Sequence, residues 1–237
     1  FSGRAFKLYL RKVSGQISPE GELNGPAGLA FDQDDNLYVV DAHNHRVQKF
    51  TKDGQFLSVW GSYGTGDGQF DTPWGITIDK EGDIYVADWK NHRVQKLSPD
   101  GKYLATFGGP GSGEGELNYP AGVAVDREGD VYVADWGNDL MKIYSPDGSF
   151  LTTFIGDANE PARWAQDRIN VDPMVQRKRQ LVDLTPTWRF WRPIAVNVDD
   201  EGRIMVLEAL HHRLQIYRKE KGWLAPDYID GAVTPGN

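Results

Sequence analysis

The chain has 237 residues, 39% of them apolar and 12% aromatic, enough to bury one sizeable core as a single all-β domain of ordinary length. No run approaches the roughly 18 consecutive apolar residues of a membrane-spanning helix, and the absence of cysteine excludes disulfides, thiolate metal sites and a cysteine nucleophile. A net charge of −8 argues against a nucleic-acid partner, which needs clustered Lys and Arg to neutralise phosphates.

In chain order, residues 5–14 carry the pattern of one outer strand without the three strands that should precede it. From Leu23 onward the chain repeats itself. Pro26, Pro73 and Pro120 are 47 apart, as are Asp41, Asp88 and Asp135, while Pro193 and Glu208 follow the third pair at 73. Both offsets jump together, so the fourth copy sits behind a single insertion. Self-similarity at this period marks a stack of supersecondary units. The expected units are 23–61, 70–108, 117–156 and 190–230, with the insertion at 157–189 and all of 1–237 in one domain.

Each unit contains four runs of five to eight residues rich in Val, Ile, Tyr and Phe and bounded by turn residues, the signature of strands. The first two runs are apolar at nearly every position and should lie deepest, whereas the outer two alternate. Between the first pair, Asp32 to Asn36, Asp79 to Asp83, Asp126 to Asp130 and Asp199 to Arg203 place Gly or the αL-tolerant Asp35 where a tight hairpin needs positive φ. Asp-rich loops also bind hard cations, but turn chemistry already requires these carboxylates. Four-stranded antiparallel units repeated about an axis make a β-propeller, which solves the edge-strand problem of an all-β chain.

The third runs carry a more specific signal. Asn44-His45-Arg46-Val47-Gln48-Lys49-Phe50 and Asn91-His92-Arg93-Val94-Gln95-Lys96-Leu97, each preceded by Tyr-Val-Val-Asp or Tyr-Val-Ala-Asp, resemble NHL repeats. The pattern weakens to Asn138-Asp139-Leu140-Met141-Lys142 and then to His211-His212-Arg213-Leu214-Gln215. The resemblance implies a propeller, usually of six blades, whereas four repeats are visible. Two readings stay open: a four-bladed ring closed by the strand at 5–14, or part of a larger propeller, with Phe1 in place of an initiator Met suggesting processing or an incomplete chain.

In a propeller the loops joining strands two and three and those joining successive blades emerge on one rim, the usual binding surface. The repeated Asp41, Asp88, Asp135 and Glu208, beside Arg46, Arg93 and Arg213, read as charge-assisted links, with a carboxylate ring around a central cation as the competing reading. The glycine-rich loops at 62–68 and 109–115 lack the following helix that a phosphate site requires. Residues that break the repeat are the better functional candidates. His43, Trp74, Trp89, Lys90, Trp136 and Asp139 occupy variable rim positions with the aromatic and charged character of interfaces. In the insertion, 160–167 and 173–182 have helix-forming composition with first-turn prolines, so two short helices are expected there.

No nucleophile, base and orienting group stand apart from the repeat, so no catalytic set is assigned. The resemblance also reaches propellers of the peptide-amidating lyase class, which place metal-binding His and carboxylates around the channel. Of the five histidines, His45, His92 and His212 are register-equivalent and only His43 and His211 are idiosyncratic, so no metal set or cofactor is assigned. The function expected is a non-catalytic scaffold taking a protein or peptide on the rim. A metal-dependent lyase or lactonase centred on the channel is the alternative.

Overall fold

A computed structural model describes residues 19–156, 171, 174 and 189–219. Among them fifteen strands form four antiparallel sheets, each a blade of the expected propeller. Blade one holds β1 (Pro26–Phe31), β2 (Leu37–Asp41), β3 (Arg46–Phe50) and β4 (Phe56–Trp60). Blade two holds β5 (Pro73–Ile78), β6 (Ile84–Asp88), β7 (Arg93–Leu97) and β8 (Tyr103–Phe107). Blade three holds β9 (Pro120–Val125), β10 (Val131–Asp135), β11 (Leu140–Tyr144) and β12 (Phe150–Phe154). Blade four shows β13 (Pro193–Val198), β14 (Arg203–Glu208) and β15 (Arg213–Arg218). Its expected fourth strand, the strand at 5–14 and both expected helices of the insertion lie outside the described residues, although Val171 and Met174 have helical backbone and are exposed.

The hairpin turns form for the reasons their residues suggest. Asp32 accepts the backbone N–H groups of Asp34 and Asn36 at 3.0 and 2.9 Å, and Asp79, Asp126 and Asp199 repeat the arrangement. Asp35, Gly82, Gly129 and Gly202 supply the positive φ. Burial alone would raise the pKa of Asp32, but hydrogen bonds from Asn36 and Lys49 outweigh it and bring it down to about 2. The one close group of three carboxylates among the described residues, Asp126, Glu128 and Asp130, closes around Lys219 Nζ at 2.8, 2.5 and 2.7 Å. These acids therefore serve turns and a lysine that ties blade four to blade three.

The core lies between blades. Tyr38, Val40 and Val47 of blade one pack on Phe70, Ile76 and Val86 of blade two, and equivalent clusters join blades two to three and three to four. Each fully buried aliphatic side chain contributes about 1.5–3 kcal/mol. At the axis the inner strands approach so closely that a Cβ on Gly75 would stand 2.5 Å from the carbonyl oxygen of Ala121, and one on Gly28 equally close to that of Trp74. The second strands are the deepest, as expected, with β6 and β10 buried throughout. The first strand of blade one is not deep: β1 is largely exposed, because no blade among the described residues precedes it.

Candidate functional site

Each second strand of blades one to three ends in a buried aspartate and runs into a single 3-10 turn, Ala42–Asn44, Trp89–Asn91 or Trp136–Asn138. The turn is closed by a residue in the left-handed region, His45, His92 or Asp139, with φ of 56, 55 and 59°. It is fastened to the incoming blade connection by backbone bonds such as Lys90 N–H to Asp71 O at 3.1 Å. The two loop classes thus meet on one rim.

The aspartates hold this rim from within. Asp88 accepts from Asp71 N–H, Asn91, Arg93 and Gln95 at 2.8, 2.8, 3.0 and 3.4 Å, and Asp41 gathers the equivalent four donors in blade one. Glu208 does the same with Arg213 and Gln215 at 2.5 and 2.6 Å; burial works to raise its pKa, but these donors win and lower it. In blade three Leu140 and Lys142 replace the Arg and Gln, and Lys142 donates to the Gly113 carbonyl instead. Burial dominates here and raises Asp135 to about 6 against the Asn118 N–H, Asn138 and the Lys142 charge, and it raises Asp88 too in spite of Arg93. Four satisfied carboxylates, each turned into its own blade, are links and not a ring around a central cation.

Two of the three repeated histidines are spent in the same way. His45 Nδ1 accepts Thr72 N–H at 3.0 Å and His92 Nδ1 accepts Tyr119 N–H at 3.2 Å, each joining one blade to the next. His211 Nδ1 lies 3.1 Å from Glu208. No three of the described histidines and carboxylates gather at the channel. The glycine-rich connections are spent within the fold: Asn91 donates to Gly64 O and Arg93 to Gly66 O, both at 2.8 Å, and Gly68 N–H donates to Gln95 Oε1 at 2.9 Å.

The candidates that break the repeat behave differently. Trp74, Trp89 and Trp136 lie side by side across blades two and three, with ring centroids 5.1 Å apart for the first pair and 5.0 Å for the second. Tyr119 completes the array, 5.5 Å from Trp89 and 6.4 Å from Trp136. Trp74 is 43% and Tyr119 36% exposed, so the array is a surface and not a core. Arg192 lies over the Trp136 ring at 3.9 Å and donates to the Trp136 carbonyl, placing a cation at the edge of the array.

The other candidates fall around it. Lys90 projects to solvent beside Trp89, with Asp71 3.8 Å away. Asp139 accepts the backbone N–H of Arg192 at 2.8 Å and so does in blade three the joining work of His45 and His92. His43 is exposed in the turn of blade one, packed against Gly25 and apart from the tryptophans. Beyond Asp139 a cleft of about 640 Å³ opens between blades three and four, lined by Leu140, Ile155, Phe190, Trp191 and His211 among others. Tyr119, Arg192 and Trp191 were missed in the sequence. Tyr119 and Arg192 share a register position with Gly25 and Thr72, so four different residues at one rim position were the signal.

The NHL repeat profile matches residues 23–50, 70–97 and 117–144. Blades one to three are NHL repeats. No curated protein sequence matches the chain. Among solved structures, a Bacteroides thetaiotaomicron protein of unknown function is 20% identical over 81% of this chain and 47% of its own, with a TM-score of 0.55. A catalytically inactive virginiamycin B lyase from Staphylococcus aureus, crystallised with quinupristin, is 14% identical over 82% of this chain and 55% of its own, with a TM-score of 0.51. A nidogen/laminin complex is 16% identical over 83% of this chain and 65% of its own, with a TM-score of 0.50. These likenesses show the propeller fold alone, and the NHL chain spans between about half and two thirds of each of these structures.

Proposed function

We propose that this NHL propeller is a non-catalytic binding module whose rim takes a protein or peptide partner on Trp74, Trp89, Tyr119 and Trp136. The observation that carries the reading is the continuous, partly exposed aromatic array on blades two and three. At the Trp74 and Trp89 positions blade one has Ala27 and Ala42, and blade four has Ile194 and Ala209, so the repeat does not require the array. Rigid aromatic surfaces supply large apolar contact at little entropic cost and dominate interface energies. Arg192 and Lys90 at its margin suit a segment that pairs apolar side chains with a carboxylate. The metal-dependent lyase or lactonase reading has less support, because His45 and His92 are committed to blade joints and His211 to Glu208.

The test is selection of peptides from a displayed library on the intact chain, followed by titration of the selected peptides against Trp89→Ala and Trp136→Ala. Loss of affinity in both, with folding retained, is expected. Peptides that bind both variants as well as the wild type would remove the rim from the account.

A further inference from the structure

The blade joints use a backbone group at one rim position and leave its side chain free. Thr72 N–H to His45, Tyr119 N–H to His92 and Arg192 N–H to Asp139 close the three joints at 3.0, 3.2 and 2.8 Å. Each donor is the residue before the inner-strand proline, with φ of 52, 53 and 56°. Gly25 stands at the same position in blade one with no side chain at all. The joint therefore does not call for an arginine at this position, and the Arg192 side chain is an addition to the architecture.

That side chain is nonetheless held in place. Its guanidinium lies 3.9 Å from the centre of the Trp136 ring, and Nη1 donates to the Trp136 carbonyl at 3.1 Å. Nε is 3.8 Å from Asp139 Oδ1, too far for a hydrogen bond, and that oxygen already accepts the Arg192 N–H. Nη2 has no hydrogen-bond partner among the described residues, and the side chain is 31% exposed. A flat cation is thus fixed against an indole with part of its donor fork open. It also extends the aromatic row, since Trp74, Trp89, Trp136 and the guanidinium follow one another at 5.1, 5.0 and 3.9 Å. Lys90 is different: its ammonium is a point charge on a flexible stem, 54% exposed.

We infer that Arg192 reads a carboxylate of the peptide seated on this rim, so that the partner is a segment with apolar side chains along the tryptophans and an Asp, Glu or C-terminal carboxylate at the blade-four end. The inference rests on the reading of the array as a peptide site and adds the chemistry that the site selects. A stacked guanidinium loses little freedom on binding, and its paired N–H donors match the two oxygens of a carboxylate. Asp139 beside Arg192 and Asp71 beside Lys90 repel a dianion more than a monoanion, so the site suits a carboxylate better than a phosphoryl group.

Calorimetric titration of peptides selected on the intact chain from a displayed library tests this. Each peptide is compared with forms in which one acid at a time is exchanged for its amide, and with a form amidated at the C-terminus. On the wild type one of these forms should bind about tenfold more weakly, as for loss of a charge-assisted hydrogen bond. Which form it is separates a side-chain carboxylate from a terminal one. On Arg192→Gln the parent peptide should already show that loss and the amide form should show no further one. Arg192→Lys, which keeps the charge without the fork, should fall between Arg192→Gln and the wild type. Both variants keep the backbone N–H of the joint; if Arg192→Gln unfolds, Arg192→Lys carries the same comparison. Amide forms that all bind the wild type as tightly as the parent, or that lose as much on Arg192→Gln as on the wild type, would overturn the inference. If those peptides still lose affinity on Trp89→Ala, the rim stands as the peptide site without it. Peptides indifferent to both Trp89→Ala and Trp136→Ala, or a library that yields none, would overturn the peptide site and this inference together.

Discussion

Asp88 and Trp89 are neighbours in the chain and follow opposite rules. Asp88 recurs in every blade as Asp or Glu, is fully buried and has its acceptor capacity filled by four donors. Trp89 recurs only in blade three, is half-buried and stacks on residues that the fold does not require. One position maintains the joint between strand and rim, and the next is free to carry a partner. In a repeat protein, recurrence therefore reports architecture, and departure from it marks the positions where another role can sit.

The comparison breaks first at the buried network. Asp88→Ala leaves Arg93 and three further donors without their acceptor, and loss of one member of a buried ion pair costs about 3–5 kcal/mol; urea unfolding should show a loss of that size. Blade three gives the next largest effect and a defined sign. Asp135 stands at about 6 when folded, against 3.8 as the ordinary value. A raised carboxyl pKa means that the folded state holds a proton the unfolded state has released, so the contribution of Asp135 to stability is greatest below about pH 4 and falls as pH rises towards 6. The loss is about 3 kcal/mol at most, since each pKa unit is worth about 1.4 kcal/mol. Asp135→Asn should remove that fall; denaturant midpoints between pH 4 and 7 measure it.

At the rim the expected losses move from stability to binding. Trp89→Ala should weaken a selected peptide by about 2 kcal/mol, roughly thirty-fold, as for a central aromatic anchor, while the unfolding midpoint shifts far less than for Asp88→Ala. Calorimetric titration and urea unfolding of the same variant give the two numbers. Lys90→Ala marks the low end. Its contact with Asp71 is exposed and 3.8 Å long, so stability should change by less than about 0.5 kcal/mol.

Much of the fold was legible because the repeat states it several times. The 47-residue period located three blades and the shared 73-residue offset of Pro193 and Glu208 the fourth, and the Asp32, Asp79, Asp126 and Asp199 turns have the geometry their residues imply. The links from Asp41, Asp88 and Glu208 to arginine were equally readable, since carboxylate and guanidinium recur at fixed spacing. Exposure of β1 was not readable, because Leu29 and Phe31 are as apolar as their buried equivalents and burial depends on which blade lies beside them. At the site, Trp74, Trp89 and Trp136 stood out as departures from the repeat. Tyr119 and Arg192 did not, because each lies just before the inner-strand proline and the contacts of Tyr119 with Trp89 and of Arg192 with Trp136 cross a blade boundary. Asp139 shows the reverse case: an unrepeated residue that does a repeated job, because its carboxylate takes over the acceptor role of a histidine Nδ1.

The most direct measurement is hydrogen–deuterium exchange on the intact chain with and without a selected peptide. The account predicts added protection at residues 89–92, 118–120 and 136–139, with the hairpin turns at 79–83 and 126–130 unchanged. Protection confined to those hairpin turns, or spread evenly over all blades, would contradict a partner seated on the aromatic rim.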